Sequence, residues 1–95
     1  MNDYIFLMHD DAGAEDEAAW GPYLAMLRAS GRFNGGSSIG KGECVGSAKP
    51  VSPLTGYLRV AAESLEEARM LLVGNPVLLG GGTVEIRELP RDGEG

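Results

Sequence analysis

Tyr4-Ile5-Phe6-Leu7-Met8-His9-Asp10-Asp11 is an unbroken apolar run that ends in the chain's only histidine and two carboxylates. Five successive apolar residues without a polar break describe a strand covered on both faces. Side chains alternate along a strand, so Ile5, Leu7 and His9 share one face while Tyr4, Phe6 and Met8 share the other. His9 therefore closes an otherwise apolar face at the strand's C-terminal end.

Outward from this strand, Asp10 to Glu17 is acidic and broken by Gly13, as expected of a loop leading into the positive end of a helix. Trp20, Tyr23, Leu24 and Leu27 recur at helical spacing, and Ser30-Gly31 is a stop. Pro22 belongs in the first two turns, with the start near Ala18 or after an irregular turn. Arg32 to Ile39 reads as a second strand with a bulge or a close approach at Gly35-Gly36. Lys41 to Pro53 is a Gly- and Pro-rich connection around an expected short strand at Glu43 to Gly46. Leu54 to Ala62 reads as a central strand.

Ser64-Leu65-Glu66-Glu67 has the spacing of a capping box, and Leu65, Ala68, Leu71 and Leu72 follow on one helical face. Gly74-Asn75-Pro76 is the expected end of that helix. Thr83 to Leu89 alternates Val84, Ile86 and Leu89 against charged residues and reads as a last strand with one solvated face. The expected organisation is one domain over residues 1–90 and a polar tail over 91–95. The order is βαββαβ, the ferredoxin-like α+β succession with an antiparallel sheet and both helices on one face. The remaining sheet face needs a cover, and a twin subunit completing a dimeric α/β barrel is the expected one.

The chain has 95 residues and a net charge of -6. That balance argues against nucleic acid, whose phosphates select basic faces. The lone Cys44 excludes an internal disulfide and any Cys-x-x-Cys zinc site, in keeping with a reducing cytoplasmic home. No apolar run approaches a membrane span, and Asn2-Asp3 is unlike the basic start of a signal peptide, so no membrane role is expected.

The first strand, Trp20 with Tyr23, Leu27 and Ser30-Gly31, Gly35-Gly36, Leu54-Thr55-Gly56-Tyr57, Ser64-Leu65-Glu66-Glu67-Ala68 and Gly82-Thr83-Val84-Glu85-Ile86-Arg87-Glu88-Leu89 together resemble the YCII-related family over nearly the whole chain. The resemblance implies a dimeric ferredoxin-like α/β barrel, a fold shared with a chloromuconolactone dehalogenase. Two departures stand out. The first-helix histidine of candidate catalytic members is replaced here by Trp20-Gly21-Pro22-Tyr23, and the Asp-Gly-Pro-Phe motif of another branch by Lys49-Pro50-Val51-Ser52-Pro53.

Among candidate sites, His9 with Asp10 or Asp11 is a possible acid/base pair, since a carboxylate orients an imidazole and raises its basicity. The competing reading is a hydrogen-bonded structural histidine. Gly35, Gly36, Ser37 and Ser38 suit close backbone approach to a ligand and hydrogen bonding. Gly35 to Gly42 approximates a phosphate loop but lacks its Ser/Thr and the following helix. Trp20 and Tyr23 are core or ligand-platform aromatics, and Tyr57 is an interior wall. The acidic residues around His9 are explained by helix polarity without a metal. No cofactor is implied. Two functions follow: a cofactor-independent lyase, isomerase or dehalogenase-like enzyme with His9 as acid/base in a cleft between the sheet and the first helix, or a dimeric module that binds a small molecule without turnover.

Overall fold

The computed structural model describes residues 1–48 and 53–91. Strand β1, Asn2–His9, lies in a four-stranded antiparallel sheet with β2, Phe33–Ser38, β3, Leu54–Ala62, and β4, Val84–Leu89, in the order β2-β3-β1-β4. The apolar opening strand is thus an inner strand, and β2 and β4 are the edges. Helix α1, Trp20–Ala29, joins β1 to β2; α2, Leu65–Met70, and the single-turn α3, Pro76–Leu79, join β3 to β4. This is the ferredoxin-like arrangement.

The alternation of β1 decides where the core sits. Tyr4, Phe6 and Met8 are buried against the helices with Leu58, Val60 and Ala62 of β3. Tyr23 and Leu27 of α1, Ala68 of α2 and Val77 of α3 complete that core. Ile5, Leu7 and His9 face the other way and are half-buried within a single chain. On β3 the pairing of Met8 with Gly56 and of His9 with Leu54 shifts by one residue. The face toward the helices is Gly56, Leu58, Val60 and Ala62, leaving Tyr57 and Arg59 on the open one.

Local chemistry sets the ends of the helices. A 3-10 turn, Glu17–Ala19, precedes α1, and Asp16 caps it by accepting from the Ala18 amide at 3.0 Å. Pro22 sits within the first turn of α1, where its missing N–H has no partner to lose. Ser64 caps α2 by accepting from Glu67 N, and Glu67 Oε1 accepts in return from Glu63 N at 2.8 Å. This reciprocity is close to a capping box, displaced by one residue at the backbone donor.

Two expectations are corrected. Glu43–Gly46 forms no strand: Val45 is 89% exposed, and among the described residues no strand pairs with the segment, so its backbone has no ladder there to join. Pro76 does not simply end the helical region. It opens α3 at the position where a proline is pre-shaped for a helix, and Asn75 caps it by accepting from Val77 N and Leu78 N. Residues 49–52, which hold the Lys49-Pro50-Val51-Ser52 stretch, and residues 92–95 of the expected tail lie outside the described residues. Arg91, at the start of that tail, is bound to Asp3 through two hydrogen bonds. No helix among the described residues is long and apolar enough to cross a membrane.

Candidate functional site

The paired glycines of β2 line a cleft of the fold. One extra residue is inserted between the Phe33–Val60 and Gly36–Leu58 pairs, and Gly35 absorbs the resulting bulge at φ +99°. At Gly36 the strands run so close that a Cβ would lie 2.4 Å from the Tyr57 carbonyl oxygen. Bulge and tight approach therefore both occur, on adjacent residues.

Between this part of the sheet and α1 lies a cleft of about 690 Å³, within the size range of small-molecule sites. Its apolar walls come from Met8, Trp20, Leu24, Phe33 and Leu58. Its polar lining comes from Glu15, Glu17, Arg28, Ser37, Ser38 and Thr55. Trp20 is oriented at both ends: its indole N–H donates to Glu15 Oε2 at 2.6 Å, and its ring meets Tyr23 edge-on at 6.0 Å. The Arg28 guanidinium sits 5.8 Å from the centre of the Phe33 ring, a cation–π contact on the cleft wall.

The loop that carries Glu15 is itself held from two directions. Asp11 accepts from the Thr83 amide at 2.8 Å and from the Thr83 hydroxyl at 2.6 Å. Those bonds, the hydroxyl's first, hold the Asp11 carboxyl below its ordinary pKa. Two residues on, Gly13 N donates to the Gly80 carbonyl at 3.0 Å, and Gly80 leaves room for the backbone of Ala14 and Glu15.

Of the residues singled out from sequence, Trp20, Gly35, Gly36, Ser37, Ser38 and Tyr57 all contribute to the cleft lining, although Ser37 and Tyr57 pair with each other at positions that belong to the open sheet face. Tyr23 does not line it. It is buried in the core, its hydroxyl donates to the Leu71 carbonyl at 2.9 Å, and burial raises its phenol pKa. His9, Asp10 and Asp11 do not line it either. The expectation of a single cleft holding both His9 and the serines is corrected by the alternation of β1: Met8 faces the cleft, so its neighbour His9 projects from the opposite sheet face.

On that open face His9 has a partner that sequence proximity did not suggest. His9 Nε2 lies 3.1 Å from Glu85 Oε1, and Arg87 Nε donates to Glu85 Oε2 at 2.6 Å. The Arg87 bond first, and His9 second, keep the Glu85 carboxyl below its ordinary pKa. Leu7 pairs with Glu85 across β1–β4 and with Tyr57 across β1–β3, so the histidine side chain stands beside an apolar row. Asp11, the partner expected from sequence, is engaged with Thr83, and Asp10 is exposed.

Glu15, Glu17, Arg28, Phe33 and Thr55 were missed as cleft residues. The two glutamates carried a signal, but helix polarity explained it fully. Arg28 lies one helical turn after Leu24 and needed the helix's orientation over β2 to gain meaning. Among the described residues, no three His, Cys, Asp or Glu side chains gather as a metal-holding group.

No protein-family model matches the chain, and no curated protein matches it. Among solved structures it is similar to 5-chloro-2-hydroxyhydroquinone dehydrochlorinase from Burkholderia phenoliruptrix, determined in complex with 2,5-dihydroxybenzoquinone. The two superpose with a TM-score of 0.62 over 93% of each chain, at 17% identity. The class defined by this likeness and by the sheet order is the ferredoxin-like α+β fold.

Proposed function

We propose that the protein is a small-molecule enzyme working by acid/base chemistry without an organic cofactor, and that its site is the cleft under α1. The observation that carries this reading is Glu15: one carboxylate oxygen is tied to the Trp20 indole, and the residue sits on the lining of a cleft of about 690 Å³. Its other oxygen, Oε1, has no side-chain or backbone partner among the described residues. A carboxylate oriented through one oxygen presents the other to a substrate proton, the arrangement a general base needs. Ser38 and Thr55 bring neutral residues able to hydrogen-bond to the same lining, while Ser37 Oγ already donates to the Ser38 carbonyl at 2.9 Å.

Lyase, isomerase and dehalogenase-like reactions all use removal of a proton from carbon or oxygen. The structural likeness to a dehydrochlorinase supports this class, since loss of hydrogen chloride separates a proton from a chloride. The test is a panel of hydroxylated, chlorinated and amine-bearing rings, scored for product by mass spectrometry and for chloride release. Glu15→Gln is expected to lower turnover about 10²–10⁴-fold, the usual contribution of a positioned acid or base. Wild-type turnover by Glu15→Gln removes the assignment. Binding without turnover across the panel favours the non-catalytic module instead.

A second reading rests on the His9–Glu85 contact of 3.1 Å, which orients an imidazole for the same chemistry on the open sheet face. That site needs a cover, and a second copy of the chain is the cover we propose. Asp3, Arg59, Glu85 and Arg87 put both signs of charge around the Ile5 and Leu7 row, so a two-fold axis can set opposite charges against each other. Light scattering at micromolar concentration is expected to give twice the chain mass. A monomer removes both the dimer and the enclosed histidine site. If His9→Leu abolishes turnover and Glu15→Gln does not, the chemistry belongs to the open face.

A further inference from the structure

The charge lining the cleft selects its occupant. Glu15 and Glu17 contribute two carboxylates against the single guanidinium of Arg28. Arg28 is already placed over the Phe33 ring at 5.8 Å, and Glu15 is tied through one oxygen to Trp20. Glu17 makes no side-chain hydrogen bond or ion pair among the described residues, although it lines the cleft. Two aromatic residues, Trp20 and Phe33, line the same cleft, and the Phe33 ring already has the Arg28 guanidinium near its centre. Ser37, Ser38 and Thr55 are neutral and offset no negative charge.

An anionic substrate would sit next to two carboxylates in a protein of net charge -6. A cation gains from the same charges, and aromatic faces add an attraction of their own. We propose that the occupant is an organic cation, a flat apolar body bearing a protonated amine, with Glu17 as the anchor for the charge and Trp20 and Phe33 as walls for the body. This rests on the reading of the cleft as the ligand site and adds to it the charge of the ligand. Glu15 keeps its role as the group facing the substrate proton.

The test uses the full chain and three isosteric probes, phenethylammonium, phenylacetate and phenethyl alcohol, titrated by calorimetry and by amide chemical shifts. Phenethylammonium is expected to bind about tenfold tighter than either other probe, to perturb the amides of Trp20, Phe33 and Gly36, and to weaken as salt rises. Glu17→Gln is expected to cost it about two- to fivefold in affinity, while the exposed Glu63→Gln, outside the cleft lining, leaves it unchanged. Thermal unfolding of Glu17→Gln alongside wild type separates lost binding from lost folding. Equal binding of the three probes at the cleft, or tighter binding of phenylacetate that Arg28→Gln abolishes, overturns the cationic assignment and leaves the cleft as a site. Shifts that miss Trp20, Phe33 and Gly36 for every probe overturn the cleft reading as well.

Discussion

Gly36→Ala is the sharpest probe of the geometry that opens the cleft. The added methyl would meet the Tyr57 carbonyl oxygen at 2.4 Å, Leu58 Cδ2 at 2.8 Å and Leu58 Cα at 3.0 Å. Leu58 Cδ2 belongs to a side chain and can move, but the other two atoms are backbone of β3. The clash is therefore relieved only by separating β2 from β3, at the place where the sheet already absorbs a bulge. Overpacking of this kind costs about 1–3 kcal/mol, and the stiffer unfolded chain returns about 0.4–1 kcal/mol. The net expectation is a loss of about 1.3 kcal/mol, equivalent to about 5–10 °C in Tm for a domain of this size.

Gly40→Ala is the matched control, because nothing lies within 4 Å of its Cβ position and its backbone is not in the left-handed region. It should be neutral or slightly stabilising. Urea unfolding followed by circular dichroism, at one protein concentration so that any association is held constant, measures both variants. The midpoint should fall for Gly36→Ala at unchanged slope. Stabilities of the two variants within about 0.5 kcal/mol of each other would refute the close β2–β3 approach, and with it the floor of the cleft.

Three further outcomes are expected. Asn75→Ala removes the acceptor for Val77 N at 2.9 Å and Leu78 N at 3.3 Å, and should destabilise by about 1–2 kcal/mol in the same unfolding assay. Asp11→Asn tests the loop clamp through pH: the folded pKa of Asp11 is depressed below 3.8, so its contribution is present above that value and lost as pH falls through the folded pKa. The Tm difference between wild type and Asp11→Asn should be constant near neutrality and close in the acid range, and a pH-independent gap contradicts the clamp. His9→Leu should let the Glu85 carboxyl titrate higher while Arg87 still holds it below 4.5, which a carbon-detected NMR titration reads directly; an unmoved Glu85 means the pair does not form in solution.

Local pattern was enough for much of the fold. The apolar run Tyr4 to Met8 named an inner strand, the Ser64 to Glu67 spacing placed a helix start, and Gly35-Gly36 marked a bulge and a close approach. Each of these is a short-range property of the chain: alternation, capping and backbone freedom act over a few residues. Glu43 to Gly46 failed for the opposite reason, because a strand exists only where another strand offers its hydrogen bonds. Gly74 to Pro76 does lie beyond the end of α2, which already stops at Met70, but that Pro76 also opens α3 depends on the Asn75 cap and is not visible in a proline alone.

The site divides along the same line. Trp20, Gly36, Ser37, Ser38 and Tyr57 were legible as candidates, since aromatics and glycines carry their meaning in their own chemistry. Which side of the sheet each residue serves was not. The parity of β1 turned His9 away from the cleft, the β1–β4 register brought it to Glu85 across 76 positions of sequence, and Asp11 took its hydrogen bonds from Thr83. The chain by itself determined a ferredoxin-like sheet built on Tyr4 to Met8. Only the tertiary structure decided that Glu15 and Glu17, rather than His9, face the space under α1, because a one-residue step along a strand exchanges one face for the other.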